Sequence, residues 1–195
     1  HSEIALLAAP MFHLAGMNMA LNQALYLGAT GVVHRGRFEP GVILELIERR
    51  RITWAVMVPT TIAALAFDES TPRRDLASLT KMFYGSMPIA PAVLDKARTV
   101  FAQVAFTQIY GSTECGMVAV LRAEDHARYS QTTGREALLA RLRIVDDAGR
   151  DVGEGEVGEV ITDARQMGMI GYWCNETATR EAMQGGWIRS GDLAR

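Results

Sequence analysis

Apolar and polar positions along the chain fall into short blocks separated by Gly and Pro. Residues 4–9 (IALLAA) form an apolar run closed by Pro10, the pattern of a buried strand. Residues 14–27, rich in Leu, Met and Ala, suit a helix ended by Gly28, and residues 30–34 read as a strand. Pro40 starts a second helix, in which Val42, Ile43, Leu46 and Ile47 keep helical spacing. Arg49, Arg50 and Arg51 stand at its end, where the helix dipole favours cations. Residues 53–58, apolar on both faces and stopped by Pro59, suit a central parallel strand. A helix over about 60–67, a loop carrying Pro72, a strand over 80–84 and a turn at Gly85-Ser86-Met87-Pro88 follow. The spacing then predicts a helix over 91–102, burying Val93, Leu94, Ala97, Val100 and Phe101, and a strand over 104–109.

This alternation over residues 1–120 argues for an α/β layer, a mostly parallel sheet flanked by helices. After about residue 122 the pattern changes. Residues 122–140 are polar and loop-like with room for a short helix, 141–146 and 157–162 alternate as strands, and turns at 147–150 and 153–158 are glycine-rich. The expected organisation is an α/β subdomain over 1–122 and a small antiparallel, β-barrel-like subdomain over 123–195.

Composition changes this picture little. The chain has 195 residues, 49% of them hydrophobic and 22% charged, and a formal net charge of −2, so no broad basic face for nucleic acid is expected. No apolar run approaches the ~20 residues of a membrane span and no signal-peptide pattern is read, so the expected compartment is the cytoplasm. The two cysteines, Cys115 and Cys174, form neither a CxxC pair nor a metal spacing, and read as free thiols. The chain opens at His1-Ser2-Glu3 without Met and stops after a dense polar turn, which reads as a piece of a longer protein.

Three polar clusters can carry chemistry. In an open α/β sheet, ligands gather at the carboxyl ends of the strands. The first cluster, Pro10-Met11-Phe12-His13, follows the first strand. Its His13 either contacts a carboxylate and lines a pocket or is a satisfied structural residue. The second, YGSTE at 110–114, follows the fifth strand. Tyr110 offers a ring to a planar base, Gly111 lets backbone approach a ligand, Ser112 and Thr113 offer donors to phosphate, and Glu114 is a hard oxygen ligand suited to Mg²⁺. The competing reading is a core tyrosine, a turn, and a carboxylate favoured in the first turn of a helix. The third, Gly185–Leu193, contains Asp192, either an acceptor for two ribose hydroxyls or part of a plain turn.

Taken together, the order and spacing of these clusters resemble the adenylate-forming superfamily of acyl-CoA synthetases, aryl-CoA ligases, luciferases and peptide-synthetase adenylation domains. PMFHLAGM at 10–17 looks like that family's Pro-x-Phe-His segment, YGSMP at 84–88 its glycine-rich adenine-side loop, and YGSTE its Tyr-Gly-x-Thr-Glu signature. RLRIVDDAGRDVGEG at 141–155 and GEVGEV at 155–160 resemble its barrel portion, and GYW at 171–173 and GWIRSGDLAR at 186–195 its last signatures before an interdomain hinge. In two places the chain departs from the family pattern. Ser190 stands where Thr is commoner, and Asp163–Gly168 stands where an Arg-Gly-Pro turn is usual, which implies a different turn there.

The resemblance implies that Tyr110 stacks on adenine beside Gly85, Ser86 and Met87, with Gly111 at the nucleotide. It implies that Thr113 touches the α-phosphate, Glu114 ligates Mg²⁺, Asp192 binds the ribose hydroxyls, and His13 lies by the reacting carboxylate. Thr113, Glu114 and His13 are the implied catalytic residues. The acyl pocket is assigned to His13, Met17, Tyr84 and Met117, with Met82, Ser86 and Met87 nearby. The methionines suit a flexible apolar group, a fatty acid first and an aromatic acid second. The implied reaction is ATP-dependent activation of a carboxylic acid as acyl-adenylate, then transfer to coenzyme A. An aryl-CoA ligase, an amino-acid adenylation domain, a non-catalytic nucleotide-binding module and a structural α/β domain are the alternatives. The family's phosphate-binding loop is expected upstream of His1, and its hinge, small domain and catalytic lysine beyond Arg195, so these residues alone are expected to be inactive.

Overall fold

A computed structural model of the chain describes residues 3–195 and divides into two compact units, one formed by the described residues up to 108 with 122–131 and the other by 109–121 with 132–195.

The first unit is an α/β layer. Its strands are β1 (Ile4–Leu7), β2 (Thr30–Val33), β3 (Trp54–Met57), β4 (Lys81–Gly85) and the first half of β5 (Ala105–Ser112), in hydrogen-bonded order β2-β1-β3-β4-β5. Pairings β1–β2, β1–β3 and β3–β4 are parallel. Helices α2 (Pro40–Arg50), α3 (Pro59–Phe67) and α4 (Pro91–Val100) each begin on a proline, whose fixed φ suits a first helical position and whose missing N–H costs nothing there. α2 buries Ile43, Leu44 and Ile47 and leaves Val42 on its flank, 46% exposed. The sequence spacing had favoured Val42 over Leu44; residues 43, 44 and 47 fall within one helical face, while 42 lies a further ~100° round the helix. These residues join Leu6, Ala55, Met57, Ile62, Leu65, Met82, Tyr84 and Phe101 in the main core. The β3 run is buried throughout, as a strand covered on both faces must be.

The predicted helix over 14–27 exists, but not as one α-helix. Ala15–Leu21 is a π-helical segment, closed by Asn22 N–H to the Met17 carbonyl, and only α1 (Asn22–Tyr26) is α. Such wide turns are rare overall and frequent at functional sites. At the amino ends of the strands, Glu3 ties the sheet together: Lys81 Nζ lies 2.6 Å from one carboxylate oxygen and the Thr53 hydroxyl donates to the other at 2.6 Å. Lys81 and then Thr53 hold the Glu3 carboxyl below its usual range. The first unit also contains α5 (His126–Tyr129).

The second unit is β-rich. The end of β5 and β6 (Gly116–Leu121) are joined by a turn over 113–115, and β6 pairs antiparallel with β7 (Arg135–Glu136). A separate four-stranded antiparallel sheet is built from β8 (Leu142–Val145), β9 (Gly158–Asp163), β10 (Met183–Gln184) and β11 (Trp187–Ala194), in order β10-β11-β9-β8, with α6 (Glu176–Ala182) between β9 and β10. Cys115, Val118, Val160 and Ile188 form its buried centre. The strand character of β6 and β11 was not read from the sequence: β11 carries Arg189-Ser190-Gly191-Asp192, which breaks the apolar alternation.

Ile47 is fully buried in the main core. Ile47→Ala is expected to lower the unfolding free energy by about 2–5 kcal/mol. Urea denaturation reads this directly, and an unchanged midpoint would remove Ile47 from the core.

Candidate functional site

Within the first unit, two of the expected site segments lie at the carboxyl ends of parallel strands, after β1 and after β4. After β1 the chain turns at Pro10, whose carbonyl accepts from His13 N–H at 3.0 Å. The His13 ring caps the following helical segment: Nδ1 accepts from Ala15 N–H at 3.2 Å, so in the neutral ring the proton sits on Nε2. His13 is exposed, and Met17 is 42% exposed on the π-helical segment. After β4, Ser86 adopts φ +70°, a left-handed conformation rare outside glycine and concentrated at functional sites, and Met87 is 48% exposed. Tyr84 is buried, its hydroxyl 2.9 Å from His126 Nε2 and 3.1 Å from Gln108 Oε1; burial pushes its pKa up to about 12. Met82 is fully buried among the core side chains.

Within the second unit, the YGSTE stretch forms the end of β5 and the turn into β6. Glu114 therefore stands in a hairpin turn, not in the first turn of a helix. Gly111 is required by packing: a Cβ there would collide with the Gly116 carbonyl oxygen and lie 3.1 Å from Met117 Cα. The Ser112 hydroxyl accepts from Cys115 N–H at 3.0 Å and pins the turn. Cys115 is buried in the unit's apolar centre, and Thr113 at the tip is exposed.

Two hydrogen bonds organise the polar side chains. The Tyr110 hydroxyl donates to Asp192 Oδ2 at 2.8 Å, joining residues 82 positions apart. Burial first, then this bond, pushes the Tyr110 pKa up to about 12. The Tyr172 hydroxyl donates to Glu114 Oε1 at 2.9 Å, and the Glu114 carbonyl accepts from Met169 N–H at 2.7 Å. The Tyr172 bond is the main reason the Glu114 carboxyl is held below its usual range, and in return it raises the Tyr172 phenol. Tyr172 belongs to the GYW stretch, but the sequence alone assigned it no partner. The segment that leads to it is anchored by Asp163, which accepts from Arg165 Nη2 at 2.6 Å and Nε at 2.9 Å and is held down to about 2 by that pairing. Met117, partly buried on β6, takes no part in these bonds.

Chemically, the second unit presents an aromatic ring with a carboxylate at its hydroxyl, and an ionised carboxylate beside an exposed threonine. Among the described residues no group of three or more His, Cys, Asp or Glu side chains is arranged to hold a metal by itself. A Mg²⁺ completed by waters and substrate phosphates needs only one or two protein carboxylates, and Glu114 meets that demand. No helix among the described residues is long and apolar enough to cross a membrane.

The chain is similar to several known proteins. The family described as "AMP-binding enzyme" matches residues 1–173. A feruloyl-CoA synthase from Amycolatopsis sp is 35% identical over 193 residues, which cover 98% of this chain and 38% of that protein. A medium/long-chain-fatty-acid–CoA ligase from Mycobacterium tuberculosis is 37% identical over 161 residues, covering 82% of this chain and 28% of that protein. Among solved structures, the amide bond synthetase McbA from Marinactinospora thermotolerans superposes with a TM-score of 0.86 at 34% identity, over 98% of this chain and 38% of that one. An o-succinylbenzoate coenzyme A synthetase from Bacillus subtilis, solved in complex with ATP and magnesium ion, gives a TM-score of 0.85 at 27% identity, over 98% of this chain and 38% of that one. The chain thus spans well under half the length of these relatives.

Two measurements check the geometry. Gly111→Ala is expected to destabilise the second unit by at least ~1–3 kcal/mol in chemical denaturation, because the hairpin must open to admit the methyl group. In an alkaline absorbance titration, Tyr84 and Tyr110 are expected to ionise near 12, against the ordinary value of 10. Because the folded phenols keep their protons longer than the unfolded ones, their contribution to stability is complete below pH 10 and is lost as pH rises towards 12. Tyr110→Phe should remove one of the groups that ionise near 12; an unchanged number of them would show that the Tyr110 phenol is not raised.

Proposed function

Because the chain belongs to the AMP-binding enzyme family, we propose that it is the nucleotide- and acid-binding part of an ATP-dependent carboxylate–CoA ligase. In that reaction a carboxylate oxygen bonds to the α-phosphorus of ATP, pyrophosphate leaves, and the acyl group of the adenylate then passes to the thiol of coenzyme A. Attack of one anion on another needs charge neutralised at phosphate more than it needs covalent help from the protein. The observation that carries the reading is the pair of bonds in the second unit, Tyr110 to Asp192 and Tyr172 to Glu114. They hold an aromatic ring and two carboxylates on one short hairpin and its partners, which supports this reading.

In this reading Tyr110 stacks on adenine and Asp192 accepts from the ribose hydroxyls. Gly85, Ser86 and Met87 supply backbone beside the base, Gly111 lets the nucleotide approach, and Thr113 donates to the α-phosphate. Glu114, kept ionised by the Tyr172 hydroxyl, would hold Mg²⁺, whose contribution when bound is to offset phosphate charge. His13, with Nδ1 occupied by Ala15 N–H, turns Nε2–H outward, where it can donate to the reacting carboxylate. The acid pocket is assigned to His13, Met17, Tyr84 and Met117. The exposed Met17 and Met87 suit a flexible apolar chain, which supports a fatty acid. An aromatic acid is the second reading, favoured by the likeness to feruloyl-CoA synthase across 98% of this chain.

The experiment is ATP–pyrophosphate exchange by the whole protein with a panel of fatty and aromatic acids. Exchange driven by acids of one class identifies the substrate, and exchange with none of them overturns the ligase reading. Residues 1–195 alone are expected to give no measurable exchange, since they span 38% of the length of feruloyl-CoA synthase. Glu114→Gln in the whole protein should slow adenylation by about 10²-fold or more and raise the Mg²⁺ concentration required. An unchanged Mg²⁺ dependence would refute the metal role.

A further inference from the structure

β11 does not run evenly along β9. Arg189 pairs with Ile161 and Leu193 with Glu159, so four residue steps on β11 span two on β9. Two extra residues are accommodated between these pairs, in the stretch Ser190-Gly191-Asp192. An even excess leaves the inward–outward alternation in phase on both sides of the bulge. Ile188 accordingly stays fully buried and Ala194 packs on the same apolar centre. Gly191 supplies the turn of the bulge with φ +76°, a conformation side chains disfavour.

A bulge leaves backbone N–H groups without ladder partners, and each must be satisfied in another way. Asp192 N–H donates to the Ser190 hydroxyl at 3.0 Å. Gly191 N–H donates to Glu159 Oε1 at 3.1 Å, and the other oxygen of Glu159 accepts from Arg189 Nη2. The Glu159 side chain is 16% exposed and Arg189 33%. One carboxylate thus grips the strand just before the bulge and at its apex. The Arg189 charge offsets that of Glu159, so a second carboxylate, Asp192, can stand next in sequence to the apex with less repulsion. The side chain of Asp192 is then met by the Tyr110 hydroxyl.

We propose that Glu159 is a positioning residue for ribose recognition: by holding Gly191 N–H and Arg189 it sets the β11 bulge that presents Asp192 beside Tyr110. This rests on the reading of Asp192 as the ribose acceptor. Glu159 touches no substrate itself and acts through the backbone of Gly191. Its removal should therefore act on hydroxyl recognition in the nucleotide and leave recognition of the acid alone.

The test compares ATP with 2′-deoxy-ATP in the exchange assay on the whole protein, for the wild type and for Asp192→Ala, Glu159→Ala, Glu159→Asp and Glu159→Gln. Asp192→Ala should lose most of the wild type's preference for ATP. Glu159→Ala is expected to raise KM for ATP roughly tenfold and lower the same preference, with KM for the acid unchanged. Glu159→Asp, one methylene short of the bulge, should do the same in weaker form, and it decides the matter if the alanine variant does not fold. Glu159→Gln keeps an oxygen for Gly191 N–H and should retain most of the preference. If Asp192→Ala keeps the wild-type ratio, the ribose reading itself fails. If Asp192→Ala loses the preference while Glu159→Ala or Glu159→Asp keeps it, Glu159 is a structural residue only and the inference is overturned.

Discussion

The candidate site in the second unit depends on one close approach, that of Gly111 to the Gly116 carbonyl across the hairpin joining β5 to β6. No side chain fits between them. With that contact made, the turn over 113–115 is tight, the Ser112 hydroxyl can reach Cys115 N–H, and the Cys115 side chain drops into the apolar centre with Val118, Val160 and Ile188. The same geometry leaves Thr113 exposed at the tip and brings the Glu114 carbonyl to Met169 N–H. A single missing methyl group thus decides whether Tyr110 and Glu114 meet their partners.

Those partners form a balanced electrostatic arrangement. Each of the two carboxylates singled out from the sequence, Glu114 and Asp192, accepts from a tyrosine hydroxyl and, among the described residues, is paired with no cationic side chain. A phenol stabilises the ionised carboxylate without neutralising it. The negative charge therefore remains available to a cation or a donor brought by a ligand, which an arginine in the same place would have cancelled. Elsewhere in the unit the carboxylates of Asp163 and Glu159 are paired with Arg165 and Arg189, and there the purpose is to hold backbone.

Much of this was legible in the sequence. The β-α alternation of the first unit followed from apolar runs ended by Pro10, Pro59 and the turn at Gly85, and three helices began where proline is tolerated. The order of PMFH, YGSTE and GWIRSGD was enough to point to the family that also matches by comparison. Other features were not legible, for reasons that are physical. Whether a helical run is α or π depends on backbone hydrogen bonds that Leu, Met and Ala support in either form, so the widened segment at 15–21 carried no signal. β11 escaped notice because a bulge filled by Ser, Gly and Asp has the composition of a turn. Tyr172 and Glu159 could not be matched to Glu114 and Gly191 because partners 58 and 32 positions away are set by tertiary packing alone. Cys115, read from its spacing as a free thiol, is one, and it lies buried with Val118, Val160 and Ile188, a placement that spacing alone does not give.

The bond between Tyr110 and Asp192 also has a thermodynamic side. It joins residues that an unfolded chain keeps 82 positions apart, so the two groups exist as one surface only when β5 and β11 are both in place. A molecule that grips both at once has nothing comparable to bind on the unfolded chain. Mass action then makes such a molecule a stabiliser of the fold: at a hundred times its dissociation constant it deepens the native well by ~2.7 kcal/mol. In a cell well supplied with such a ligand, the second unit would owe part of its persistence to what it binds.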